Sequence, residues 1–268
     1  MFNHIDIKLP KLDRTTIDGV RYYSVPDNGE LIKLVSITSV TSHFNKEIFT
    51  KWRAKVGDEE ADKITKAATS RGTDMHSLVE NYLYNIPELP KVQPISEFLF
   101  KIALPELNRI NNIYALEGAL YSRKLGIAGT VDCISEHDGE LAIVDFKTSK
   151  KPKPRSWIDH YFVQCMAYGA MLYELTGISI KKLVIIMACE NGDCVVYEER
   201  DKAKYLKLLT EYINYIDAIC RYCEMNELEV ESVTKLISKT LKEKLKWDAT
   251  RLNFMKKTSK TSIAKLPL

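Results

Sequence analysis

Asp138-Gly139 lies between two apolar runs, VDCISEH before it and ELAIVDF after it, and this dipeptide constrains the chain more than any other. Asp-Gly flanked by hydrophobic residues favours a two-residue hairpin turn. The partners are then residues whose numbers sum to 277, which sets Asp132 opposite Asp145. Residues opposed in this way have Cβ atoms about 4.5–5.5 Å apart. Lys147, two residues further on, projects from the same face as Asp145. The second arm is apolar on both faces, with Leu141 and Ile143 on one and Ala142 and Val144 on the other. That pattern belongs to a strand in the interior of a sheet.

Two facing carboxylates destabilise a hairpin unless something compensates them. A divalent cation does so, and carboxylates with a backbone carbonyl suit hard Mg²⁺ or Mn²⁺. Such an ion can polarise a phosphoryl oxygen and lower the pKa of a bound water. Lys147 could position that water or stabilise developing negative charge. The plainer alternative is an exposed hairpin end carrying an Asp145–Lys147 ion pair.

The rest of the chain supplies a frame for this hairpin. Short strands are expected over 18–41 around Pro26-Asp27-Asn28-Gly29, with Ser42 capping a helix over 45–56 that stops at Gly57. Further helices are expected over 58–69, from Thr73 to Tyr84 and over 94–112. Strands follow over 113–122, 127–136 and 140–147, then a helix over 157–176 closed by Gly177. KKLVIIMAC and DCVVYEE read as strands, and helices are expected over 200–226 and 231–247. The fold class is therefore α/β, a central mixed sheet flanked by helices with helical N- and C-terminal segments.

At 268 residues, 45% hydrophobic and 28% charged, the composition is that of a soluble globular protein. No apolar run reaches the ~18 residues of a membrane span, and MFNHIDIKLPKLDR lacks signal- or transit-peptide character. A cytoplasmic location is expected. The six cysteines read as reduced thiols, with Cys220-x-x-Cys223 lacking a matching second pair. Residues 232–268 hold 10 basic and 2 acidic residues, against 29 and 34 in residues 1–231. We divide the chain there, into a single domain over 1–231 with core motifs at 70–200, and a basic helical extension over 232–268. A basic tail is compatible with a polyanionic partner, or with an ordinary solvated helix face.

Two helices carry polar pairs at i, i+4: His76 and Glu80 in RGTDMHSLVENYL, and Gln164 and Tyr168 in DHYFVQCMAYGAML. Taken in chain order, His76, Glu117 in YALEGALYS, GTVD at 129–132, DFKTS at 145–149 and Gln164-x-x-x-Tyr168 resemble the PD-(D/E)xK nuclease superfamily, in its RecB-like branch. VSITSVTSHFNKEIFTKWRAKVG and AATSRGTDMHSLVENYL are similar to the mitochondrial genome maintenance exonuclease group and related phage exonucleases. The resemblance covers roughly residues 34–200 and implies a restriction-endonuclease-like core.

It further implies that Asp132, Asp145, the main-chain carbonyl of Phe146 and His76 are metal ligands, with Glu117 either assisting a metal or supporting the fold. Lys147 would be the catalytic lysine, and Gln164 and Tyr168 would organise it or contact DNA. No cysteine precedes Cys133, so an iron–sulfur cluster of the kind some relatives carry is not expected. The implied activity is metal-dependent hydrolysis of DNA, chiefly as an exonuclease on single strands or free ends. A structure-specific endonuclease and the nuclease subunit of a helicase complex are alternatives, although no GxxxxGK[ST] motif occurs. A nucleic-acid-binding module without activity is the alternative of another class. Lys150, Lys151, Lys153 and Arg155 follow the active strand and suit phosphate contacts. Trp157 and Tyr161 could stack on unpaired bases. Replication or recombination proteins, in a bacterium or a phage-infected cell, are the partners this implies.

Overall fold

A computed structural model describes residues 1–225, except the side chains of 43, 44, 46, 47 and 215–225. Its elements run β1 (Asp13–Ile17), β2 (Val20–Asp27), β3 (Glu30–Ser36), α1 (Ile37–Val56), α2 (Asp58–Leu83), α3 (Pro94–Leu107), β4 (Ile110–Ser122), β5 (Ile127–His137), β6 (Glu140–Ser149), α4 (Asp159–Thr176), β7 (Lys182–Cys189), β8 (Cys194–Glu199) and α5 (Lys202–Met225). The strands form one mixed sheet in the order β1-β2-β3-β5-β6-β7-β8, with β4 also paired to β5. The β3–β5 and β6–β7 pairs are parallel. Chain packing separates Met1–Leu206 from Lys207–Leu268, a division inside α5. The expected boundary at 231 and the helix over 231–247 lie outside the described residues.

β6 is interior, between β5 and β7, as its two-sided apolar character requires. Every residue of β7 is buried, so KLVIIMAC is covered on both faces. α2 and α3 lie over one face, packing Leu78, Leu83, Leu99 and Phe100 against Val144, Phe146, Val184 and Ile186. Side chains alternate along a strand, so Asp145 and Lys147 point to the opposite face, where α4 packs on β6.

Three expected boundaries move. LVSITSVTSHF leaves the strand at Ser36, whose hydroxyl accepts the Thr38 amide at 3.3 Å, so the helix starts about a turn and a half before Ser42. Burial of Ile37 and Val40 favours this early start. The helices expected over 58–69 and 73–84 are one, Asp58–Leu83, because a single glycine at 72 costs a helix only about 1 kcal/mol and does not end it. α3 ends at Leu107 rather than 112, and Ile110 already belongs to β4.

Candidate active site

The hairpin has the expected register: His137 pairs with Glu140, Glu136 with Leu141, and so on to Cys133 with Val144. Asp138 (φ 52°) and Gly139 (φ 75°) both take positive φ, the geometry of a type I′ turn. Pairing then stops one residue short of the two aspartates. Asp132 and Asp145 form no rung, contrary to the direct opposition expected. The strands diverge because a rung there would set two carboxylates face to face. Instead Asp132 Oδ2 accepts the Phe146 amide at 3.0 Å. On the same edge of β5, β3 pairs only at Ile127 and Ala128. Residues 129–132 thus have no strand beside them on that edge among the described residues, and the sheet opens where the charges gather.

α2 closes the opening from one side. His76 Nε2 donates to the Phe146 carbonyl at 3.0 Å. In a neutral ring the lone pair is then on Nδ1, which lies 3.6 Å from Asp132 and 3.9 Å from Glu117. Burial opposes a charge on His76, but the neighbouring Asp132 and Glu117 carboxylates outweigh it and push the imidazole up to about 9. The pocket attracts positive charge.

Glu117 faces Asp132 across the β4–β5 ladder, between the Leu116–Cys133 and Gly118–Val131 rungs. Its φ is 47°, a left-handed conformation unusual for a non-glycine residue inside a strand. Strain of this kind concentrates at functional sites. One ligand atom each from His76, Glu117 and Asp132 lies within 4.8 Å of the others. An imidazole and two carboxylates beside a main-chain carbonyl fit Mn²⁺ or Mg²⁺. The structure therefore gathers Glu117 with Asp132 and His76, whereas Asp145 turns to the other side of the opening.

There Asp145 is 1% exposed and forms an ion pair with Lys147. Burial pushes its carboxyl up to about 6; Lys147 opposes that shift and Asp132 adds to it. Burial likewise opposes charge on Lys147, but Asp145 and then Asp132 hold its ammonium well above the usual lysine value. From α4, Gln164 Nε2 lies 3.2 Å from both Asp145 Oδ1 and Tyr168 Oη. Tyr168 is 1% exposed, so its side chain positions Gln164 and a direct DNA contact is closed to it. Gly129 makes this possible: a Cβ there would stand 2.8 Å from Tyr168 Cε1. Gly129→Ala is expected to lower kcat by about 10²-fold, the cost of an ~1 Å displacement of positioned groups. The thermal midpoint, measured alongside the kinetics, should change far less than the rate.

Tyr161 extends the site outward, with the Lys147 and Lys153 ammonium groups 5.2 and 5.1 Å from its ring centre. Its hydroxyl accepts from Lys153 at 2.7 Å. Lys150 and Lys151 are exposed, and Trp157 is 70% exposed. Arg155 departs from expectation. It pairs with Asp159 at 2.7 Å and Glu199 at 3.1 Å and lies over Phe162, so it secures the start of α4 instead of waiting for phosphate. Arg71, five residues before His76, pairs with Glu190 at 2.9 Å, a contact that sequence reasoning does not reach. Its only signal is the Arg-Gly step in the same helix.

A mixed sheet opened at carboxylates from three strands, with a lysine two residues beyond the last of them and a helix histidine closing it, defines a nuclease centre of the restriction-endonuclease-like class. Residues 96–228 match the family model of the PD-(D/E)XK nuclease superfamily, and this segment belongs to that superfamily. Residues 205–267 match the model of the phage late-transcription coactivator. The chain is 26% identical over 159 residues to mitochondrial genome maintenance exonuclease 1 of Xenopus tropicalis, covering 55% of this chain and 46% of that protein. The human protein of the same name is 34% identical over 90 residues, covering 32% and 26%. An ATP-dependent helicase/nuclease subunit of Clostridium kluyveri is 41% identical over 59 residues, covering 22% and 5%. The matched segments span less than half of each relative. Among the described residues no helix is long and apolar enough to cross a membrane.

Proposed function

We propose that this protein is a metal-dependent deoxyribonuclease acting as an exonuclease on single-stranded DNA or DNA ends. The observation that carries this reading is the divergence of β5 and β6 at Asp132 and Asp145, with Lys147 and His76 on either side. The match of a segment of the chain to exonuclease relatives supports the exonuclease assignment.

His76, Glu117, Asp132 and the Phe146 carbonyl would hold Mg²⁺ or Mn²⁺, with Asp145 as a further carboxylate on the opposite wall. When bound, such an ion supplies Lewis-acid polarisation of the phosphate and a water of lowered pKa. Lys147 remains an ammonium and lies where negative charge develops at the phosphate. Gln164 holds Asp145 Oδ1 and thereby the orientation of the Asp145–Lys147 pair. Lys150, Lys151 and Lys153 follow the active strand and would contact flanking phosphates. Trp157 and Tyr161 would stack on unpaired bases.

End-labelled single- and double-stranded oligonucleotides should be degraded with Mg²⁺ or Mn²⁺ and left intact in EDTA. Asp132→Ala should remove metal binding in a calorimetric titration as well as cleavage; unchanged binding would refute its ligand role. Cleavage of closed circular single strands would rule out a strict exonuclease. The helicase/nuclease match favours a second reading, a nuclease whose motor is supplied by another chain. The coactivator match over 205–267 favours a phage setting, with replication or recombination proteins as partners. The basic extension over 232–268 would bind nucleic acid or such a partner.

A further inference from the structure

A groove of about 830 Å³ begins at Gln164 and Tyr161 and runs away from the carboxylates, between α4, the β1–β2 turn and the first three turns of α1. Its walls mix polar and apolar surface, and Asp18, Arg21 and His160 are the ionisable groups in them. Thr16, Thr38, Ser39, Ser42 and Tyr161 bring hydroxyls to it, whereas the Thr41 hydroxyl and the Asn45 amide donate to the carbonyls of Ile37 and Thr41 within α1. Arg21, in the same wall, is tied to α1 through its backbone amide, which donates to Ser39 Oγ at 3.0 Å. Its guanidinium has no acidic partner among the described residues.

Phe49 forms the far end of the groove and is 46% exposed. It also lines a second, apolar pocket between α1 and α2, with Trp52, Ile64 and Ala68. The Phe49 and Trp52 rings stand 5.2 Å apart. A path therefore leads from the Lys147 side of the active site, past hydroxyls and one arginine, onto exposed Phe49 with half-buried Trp52 behind it.

Hydroxyls, amides and arginine are the donors that hold phosphate oxygens without reading sequence. An aromatic face suits any unpaired base, whereas a duplex keeps its bases stacked on one another and offers none. We propose that this groove is the track for unpaired nucleotides flanking the scissile phosphate. Arg21 and the α1 hydroxyls hold the backbone, and Phe49, backed by Trp52, stacks one base. The proposal rests on the nuclease reading for the position of the scissile phosphate and adds a strand-selecting subsite some distance from the chemistry.

The test is equilibrium binding of a fluorescein-labelled oligo-dT and of a blunt duplex of equal length in EDTA, where nothing is cut. Phe49→Ala should weaken oligo-dT binding about tenfold or more and leave duplex binding unchanged, and Phe49→Trp should restore it. Arg21→Gln should reduce the salt dependence of oligo-dT binding by about one counterion. Phe49 is half exposed, so its truncation leaves the core intact. Oligo-dT binding that is unchanged in both Phe49→Ala and Arg21→Gln overturns the proposal. So does an equal loss for duplex, which would make the groove a duplex surface. A parallel digestion with Mn²⁺ separates the two readings. Unchanged binding with normal cleavage removes the groove and keeps the nuclease. Phe49-dependent binding by a wild-type protein that cuts neither substrate keeps the groove and removes the nuclease.

Discussion

Lys147→Met will abolish DNA cleavage, by about 10²–10³-fold or more in kcat, the loss that follows removal of a single charge-stabilising donor. The lysine is fixed by its neighbours: it pairs with buried Asp145, and the Tyr161 ring lies 5.2 Å from its ammonium. Gln164 in turn holds the other oxygen of Asp145 at 3.2 Å. Methionine keeps the aliphatic stem and removes the ammonium, which leaves the buried Asp145 carboxyl without its cation. His76, Glu117 and Asp132 are left as they were, so Mn²⁺ binding measured by calorimetry should persist. Loss of cleavage with metal binding retained would separate the lysine's role from that of the ligand set. Cleavage at the wild-type rate would refute the assignment of the site.

Lys182→Met is the substitution outside the active site expected to damage stability most. Lys182 lies at the start of β7 and is 1% exposed. Its ammonium donates to Glu198 at 2.9 Å and lies 3.2 Å from His137 Nδ1 and 3.9 Å from Asp138 and Glu140. Arg109 and Arg200 bind the outer oxygens of the same acids. His137, Asp138 and Glu198 resemble a metal-binding group by distance alone, but the lysine already supplies the positive charge they share. Removing one partner of a buried pair costs about 3–5 kcal/mol. Glu198 is partly exposed, so the lower end of that range applies. At about 2–4 °C per kcal/mol, the thermal midpoint should fall by roughly 6–12 °C. The double variant Lys182→Met/Glu198→Gln should recover more than half of the loss in denaturant titrations. Full stability in the single variant would show that the cluster contributes nothing net.

Much of this architecture was legible in the chain. Asp138-Gly139 dictated a turn with positive φ at both positions, and the turn dictated the register. The alternation of the second arm dictated that Asp145 and Lys147 share a face. The two-sided apolar run in β6 dictated an interior strand. These follow from local geometry, because a two-residue turn leaves only one register and a strand only two faces. The helix limits were less legible. Ser36 and Ser42 are equivalent caps in sequence, and only the packing of Ile37 and Val40 chose between them.

The site itself was half written in the sequence. His76, Asp132, Asp145, Lys147 and Gln164 were visible as charges or polar pairs in unlikely places. The separation of β5 from β6 just before the aspartates was not, because a turn fixes the register of a hairpin and not how far along its arms the pairing runs. Nor could the sequence show that Glu117 stands opposite Asp132 in a left-handed conformation, or that Arg155 is spent on Asp159 and Glu199. Tyr168 looked as accessible as Gln164 until α4 was laid on Gly129. Local chemistry fixed the turn, the register and the face on which the charges sit. Tertiary packing decided which of those charges meet, because burial and pairing are properties of neighbours that come from distant stretches of the chain.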